Sequence, residues 1–392
     1  MGGARPIARS VATARLSAIK EMAMRAAELG DVASLSWGLP SFPTPPHIRE
    51  AVTEALATDP DVGKYTLPNG LPELRRLAAA HHARRTGRTV DPDRNVFVTA
   101  GNMQGMTSLL HVLVEPGDEV IVTDPGFASH MQQIHLHGGV PVPWPLDEAR
   151  GWRLDVDVLP QLITPHTKAL ILVNPSNPTG TLFERAELEA LGRLATAHEL
   201  MLLIDDPYSE LIYQRRDRFY NPATDEDLAE RLAYLFTFSK IHAMSGWRLG
   251  YMILPGWLTA EVLKVHDANM ICAPRVSQVG GIAALSGDAE HVEGFRSVLD
   301  GRRRLICARL DALPHVFSYH PPDGAYYVFP RIVTGHQDSW EFSLRLLNEA
   351  RVSVTPGIAF GPGSDHHVRM AYCVSDAEID TAFDRIEELF LP

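Results

Sequence analysis

Phe236-Thr-Phe-Ser-Lys-Ile-His-Ala-Met-Ser-Gly-Trp-Arg-Leu-Gly-Tyr251 is the stretch around which the chain organises itself. Its lysine, Lys240, follows an apolar run from Tyr234 to Phe238 that reads as a buried strand. Burial disfavours the ammonium form, so a desolvated lysine loses its proton near neutral pH and becomes a nucleophile. Thr237, Ser239 and Arg248 supply two hydroxyls and a permanent cation, groups suited to a dianionic phosphate. Gly246 and Gly250 let the backbone turn back towards that anion. A neutral lysine beside a phosphate site points to a Schiff base with pyridoxal 5'-phosphate. A strand-end lysine and a surface arginine in a loop is the plainer reading, and the stretch alone leaves both open.

Spacing narrows the choice. Ser239-Lys240 followed by Gly246-Trp247-Arg248-Leu249-Gly250-Tyr251 resembles the lysine motif of class I/II aminotransferases, the fold-type I pyridoxal-phosphate enzymes. His242 departs from it, standing where that family more often carries an aromatic or small residue.

Working outward, apolar runs alternate with helical patterns. Strands are predicted at 95–99, 119–123, 168–173, 200–204, 234–238 and 249–254, and helices at 104–114 and 184–198. Such alternation indicates a largely parallel sheet covered on both faces. Pro143 to Leu146 is expected to be at best a short edge segment, because proline cannot donate to a ladder. Beyond Pro255 the texture becomes α+β, with a long helix over 288–313 and short strands near 325–329, 352–355 and 368–372. The expected fold is therefore α/β with a large domain and a smaller α+β domain, and the resemblance implies that it is a fold-type I pyridoxal-phosphate transferase. The expected division is an N-terminal arm over 1–45 joining the small domain, a cofactor-binding domain over 46–287 and the small domain over 288–392.

In a parallel sheet, ligands collect at the carboxyl ends of strands. Thr99-Ala-Gly-Asn-Met103 ends a strand and opens a helix, whose free amides and dipole make an anion site. Asp124-Pro-Gly-Phe127 brings an aromatic ring to the next strand end, either to stack on a flat cofactor or to join the core. Asn174-Pro-Ser-Asn-Pro-Thr-Gly180 is a stiff loop after the strongest strand, and it matches the family's Asn-Pro-x-Asn-Pro-Thr-Gly loop throughout. Asp205 closes an apolar run, where a carboxylate needs a partner; a pyridine nitrogen would supply one. Asp206 is free to cap the following turn. Arg369, in His366-His-Val-Arg-Met-Ala371, is a strand cation whose planar fork suits a carboxylate.

The resemblance, which runs from about Ser17 to the C-terminus, adds roles. It implies that Lys240 carries the cofactor and then shuttles a proton, that Gly101, Asn102 and Met103 contact its phosphate, and that Phe127 stacks on its ring. It implies that Asn177 and Tyr208 bond the phenolate oxygen, that Asp205 holds the ring nitrogen and that Arg369 binds the substrate α-carboxylate. Trp37 and Gly38 resemble the segment that closes over the substrate. Tyr65, with Gly70, resembles the tyrosine that reaches the neighbouring subunit's phosphate, which requires a homodimer with shared active sites. The implied activity moves an amino group from an L-amino acid to a 2-oxo acid such as 2-oxoglutarate. A β-eliminating C–S lyase and a non-catalytic sensor domain are rivals on the same fold. Arg275 lies on a segment that, by the resemblance, sits near the neighbouring subunit's active site; it is either a selector for a distal carboxylate or an interface salt bridge or solvated loop charge.

Composition excludes other classes. The chain has 392 residues, 45% hydrophobic and 21% charged, ordinary for a globular protein of two domains. A formal net charge of −12 with no basic block argues against nucleic-acid binding. The three cysteines, Cys272, Cys307 and Cys373, have no disulfide or zinc spacing and fit a reducing cytoplasm. No apolar run reaches membrane-spanning length. The pairs His81-His82 and His366-His367 lack metal-ligand spacing, so no metal site is expected. Arg5, Arg9 and Arg15, with no acid before Glu21, have the flavour of a transit peptide; a basic arm leading into a helix over 17–29 is the plainer reading.

Overall fold

A computed structural model describes residues 7–14, 16–335 and 338–391; Arg5 and Arg15 lie outside them. Helix Ala18–Leu29 leads into a two-residue strand, β1 (Ala33–Ser34). The central sheet is then built from β2 (Val96–Thr99), β3 (Glu119–Asp124), β4 (Val140–Asp147), β5 (Arg153–Leu154), β6 (Thr167–Val173), β7 (Met201–Asp206), β8 (Leu232–Thr237) and β9 (Gly250–Ile253). Its order is β2-β9-β8-β7-β6-β3-β4-β5.

Successive side chains of a strand point to opposite faces, so a strand covered on both sides must be apolar at every position. The two cores show this directly. Val98, Leu170, Leu172, Leu202 and Tyr234 pack in one, and Phe97, Ile171, Leu203 and Leu235 in the other. Strands β3, β4, β6, β7 and β8 are mutually parallel. Strand β9 is antiparallel to both β8 and β2, which turns β2 back into line with the parallel set. The carboxyl ends of β2, β3, β6, β7 and β8 therefore share one edge.

Strand β4 corrects the expectation for Pro143 to Leu146. It is eight residues long and pairs with β3 on one side and, at its end, with β5 on the other. Pro141, Pro143 and Pro145 alternate, so their missing donors all fall on the edge away from β3. The intervening residues keep their amides; Val140 N donates to Asp118 O at 2.8 Å.

Helices Gly256–Asn269 and Arg275–Ser286, which the sequence pattern did not separate, precede the long helix Glu290–Asp311. The C-terminal region adds β10 (Phe317–Ser318), β11 (Tyr327–Val328), β12 (Arg331–Ile332), β13 (Val352–Ser353), β14 (Thr355–Pro356) and β15 (Val368–Ala371). Strand β15 runs antiparallel between β11 and β14. Strand β1 pairs in parallel with β13, Ala33 opposite Val352, which ties the N-terminal segment to the C-terminal strands. Among the described residues no helix is long and apolar enough to cross a membrane.

Candidate active site

Beyond β8 the chain folds on itself through its own hydroxyls. Thr237 Oγ1 donates to Ser239 Oγ at 2.9 Å and accepts from Ser239 N at 3.1 Å. This tight turn delivers Lys240 into a cavity of about 430 Å3 at the carboxyl edge of the sheet. Lys240 Nζ donates to Gly38 O at 3.0 Å. Its surroundings strip water from the ammonium, and that desolvation, with Arg369 and Arg248 nearby, pulls its pKa down to about 8. About a tenth of the amine is thus uncharged at pH 7 and about half at pH 8, far more than for a solvated lysine.

Asp205 and Asp206 end β7 side by side and face opposite ways, as strand alternation requires. Asp205 reaches the cavity, where Oδ1 accepts from Asn102 Nδ2 at 2.7 Å and Oδ2 pairs with His130 Nε2 at 3.0 Å. Asp206 turns away and accepts from Ser209 N at 2.9 Å, the capping work. His130 is a residue the sequence reading missed. Its signal was present: it follows Phe127 by three positions on helix Ala128–Leu136, and the two rings meet edge to face at 5.1 Å.

Two arginines line the cavity with different surroundings. Arg248 is exposed in a left-handed conformation (φ 54°), donating to Ser245 O at 2.7 Å. Gly101 is also at positive φ (82°), a conformation that favours glycine, and a Cβ there would fall 2.6 Å from an Arg248 nitrogen in its present position. It precedes helix Asn102–Leu113, whose first N–H groups have no intrahelical acceptor. Arg369 is 2% exposed and donates to Ser36 O at 2.6 Å and Asn177 Oδ1 at 3.2 Å. Among the described residues it has no carboxylate partner, and its Nε has no hydrogen bond.

Trp37, Gly38, Asn102, Met103, Phe127, Asn177, Tyr208, Thr237 and Ser239 all line this cavity with Lys240, Asp205, Arg248 and Arg369. Tyr208 OH lies 3.0 Å from the hydroxyl of Tyr327, a second residue the sequence reading missed. Nothing local marks Tyr327, because it arrives from the C-terminal region. Tyr65 is not brought here; it is 75% exposed and outside the lining. Arg275 is also outside and pairs with Asp59 at 3.1 Å. His242 turns from the cavity to His291, Nδ1 to Nε2 at 2.9 Å. His81 bonds Tyr251 at 2.7 Å and His367 bonds Glu148 at 2.9 Å.

A desolvated lysine, a doubly held carboxylate and two arginines in one sheet-edge cavity define a site for covalent carbonyl chemistry on an anionic ligand. The chain belongs to the aminotransferase class I and II family, whose model matches residues 30–386. It is 36% identical to the aspartate aminotransferase of Pyrococcus abyssi and 34% to aromatic-amino-acid aminotransferase 2 of Thermococcus litoralis, over 95% of each chain in both cases. It superposes on Thermus thermophilus aspartate aminotransferase with maleate at a TM-score of 0.92, with 32% identity, covering 99% of this chain and 100% of that one. The protein is an aminotransferase, and its family implies dependence on pyridoxal 5'-phosphate.

Proposed function

We propose that the chain transfers the amino group of an L-amino acid to a 2-oxo acid, 2-oxoglutarate foremost, with pyridoxal 5'-phosphate held on Lys240. One observation carries this reading: Arg369 is a buried guanidinium without a carboxylate partner among the described residues, and it lines the same cavity as the lysine whose pKa falls to about 8. A buried cation left so is costly unless a ligand completes it.

The residues fit the cofactor. Its phosphate would be held by Gly101, Asn102, Met103, Thr237, Ser239 and Arg248, its ring by Phe127, its ring nitrogen by Asp205 and its phenolate oxygen by Asn177 and Tyr208. The close approach of Gly101 to Arg248 supports the first group, and the two hydrogen bonds that fix Asp205 support the third. When bound, the group supplies a carbonyl that accepts the amine and a ring that accepts electrons.

The chain's own residues do the rest. Arg369 takes the substrate α-carboxylate in a two-pronged grip. The uncharged Lys240 Nζ removes the proton from the substrate α-carbon and later returns one to the acceptor. Trp37 and Gly38 cover the cavity and limit water. Donor and acceptor use the same site in turn, a ping-pong cycle. Tyr65 serves the neighbouring subunit of a homodimer, a role its outward position supports. The division into an arm over 1–45, a large domain over 46–287 and a small domain over 288–392 is supported by the β1–β13 pairing. The unpaired cysteines support a reducing cytoplasm as the setting.

A panel of amino donors with 2-oxoglutarate tests the reading: 2-oxo acid should appear only with the acceptor present. Pyruvate and ammonia released from a thioether amino acid without acceptor would replace transfer by elimination.

A further inference from the structure

Tyr327 touches both halves of the substrate machinery. Strand β11 pairs with β15 so that Tyr327 faces Ala371, which makes Arg369, two positions back along β15, its diagonal neighbour on the same face. The Arg369 guanidinium lies over the Tyr327 ring, 4.4 Å from its centre, a cation–π distance. The Tyr327 hydroxyl, at the other end of that ring, is 3.0 Å from Tyr208 OH. Its place is fixed from a third side, because a Cβ on Gly38 would fall 1.9 Å from it. Both tyrosines are buried, at 3% and 2% exposure, so each hydroxyl depends largely on its protein partners.

We infer that Tyr327 is a positioning residue that couples carboxylate capture at Arg369 to the hydroxyl of Tyr208. The inference rests on the roles proposed above for those two residues. Its physical route is short. A bare guanidinium over the ring draws electron density from it and makes the hydroxyl a stronger donor. Consistent with this, burial pushes the Tyr327 phenol up while Arg369 pulls it down. A carboxylate on Arg369 cancels that pull, and the change passes through one O–H···O contact to Tyr208. Occupied and empty carboxylate sites thereby present the reacting centre with a different Tyr208, and by linkage the effect is reciprocal.

The test uses the holoenzyme with propionate, an unreactive monocarboxylate. The readout is the pH midpoint of the visible absorbance of the cofactor on Lys240, with and without saturating propionate. In the unaltered protein propionate moves the midpoint. Tyr327→Phe keeps the ring under Arg369, so propionate affinity should stay within roughly twofold, while the shift falls below about half its original size. Tyr327→Leu removes the ring too and should weaken propionate roughly threefold to tenfold. Tyr208→Phe breaks the same contact from the other side, and the double variant with Tyr327→Phe should lose no more than either alone. A Tyr327→Phe protein with an undiminished shift, or losses that add, overturns the coupling. An unaltered protein with the absorbance but no propionate shift overturns it as well. Absence of the absorbance itself overturns the functional reading first, and this inference with it.

Discussion

Arg248 and Arg369 line one cavity and are built by opposite means. Arg248 is exposed, and the carbonyl it bonds most closely belongs to Ser245, three residues away. Arg369 is buried, and its main acceptors, Asn177 and Ser36, lie 192 and 333 positions away in the chain. The first is a product of one contiguous motif, the second of three distant segments meeting. A group held by its own loop can be lost without disturbing anything else. A group held by an assembly is expensive to orphan, and its removal should be felt more strongly.

Lys240 is delivered by its own turn, although its amine reaches Gly38 O from a distant segment, and it gives the largest expected effect. Lys240→Ala should abolish both turnover and the visible absorbance of the bound cofactor; borohydride trapping of the cofactor on another lysine would sink the assignment. Next is the assembled cation. Arg369→Ala should cost on the order of 2–5 kcal/mol in substrate binding, a KM more than tenfold higher, with the cofactor retained. Arg248→Ala should do the converse and more mildly, weakening cofactor retention by about 1–2 kcal/mol with substrate KM little changed. Should the two variants show the same pattern, the comparison fails.

Acid attacks the support of the lysine loop. His242 is buried against His291 and His47, and burial pulls its pKa down to about 3. The folded chain therefore keeps it neutral while the unfolded chain takes up a proton below about 6.5. Stability from this group is intact above that value and falls as pH drops from about 6.5 towards 3, by a few kcal/mol in all. Urea unfolding at pH 7 and pH 5 should show the loss, and His242→Gln should shrink it.

Lys240 titrates with the same sign in a higher pH window. Its folded pKa of about 8 lies below the ordinary value of 10.5, so the buried ammonium destabilises below pH 8 and the penalty is relieved as pH rises between those values. Cofactor uptake by the apoprotein needs the free amine and should rise with pH around a midpoint near 8; a midpoint near 10 would show a solvated lysine. The smallest effect is expected at Arg275. Paired with Asp59 and outside the cavity, it should give an Arg275→Ala enzyme with unchanged preference between dicarboxylic and aromatic donors. A selective loss of dicarboxylic substrates would restore it as a selector.

What the sequence determined by itself is whatever short-range geometry dictates. Alternating apolar runs with helices between them specify a parallel sheet, because strands buried on both faces have no polar positions. Strand-end motifs specify their own turns, so Asn102, Asn177, Asp205, Lys240 and Arg248 could be expected at one sheet edge before any fold was known. Proline pattern misled at β4, because which edge of a strand is free depends on its neighbours. Only tertiary structure decided that His130 would hold Asp205, that Arg275 would pair with Asp59, that His242 would face His291 and that Tyr327 would bridge Arg369 and Tyr208. Each of those outcomes depends on contacts between segments far apart in the chain, and no local periodicity encodes where a distant strand will lay its side chains.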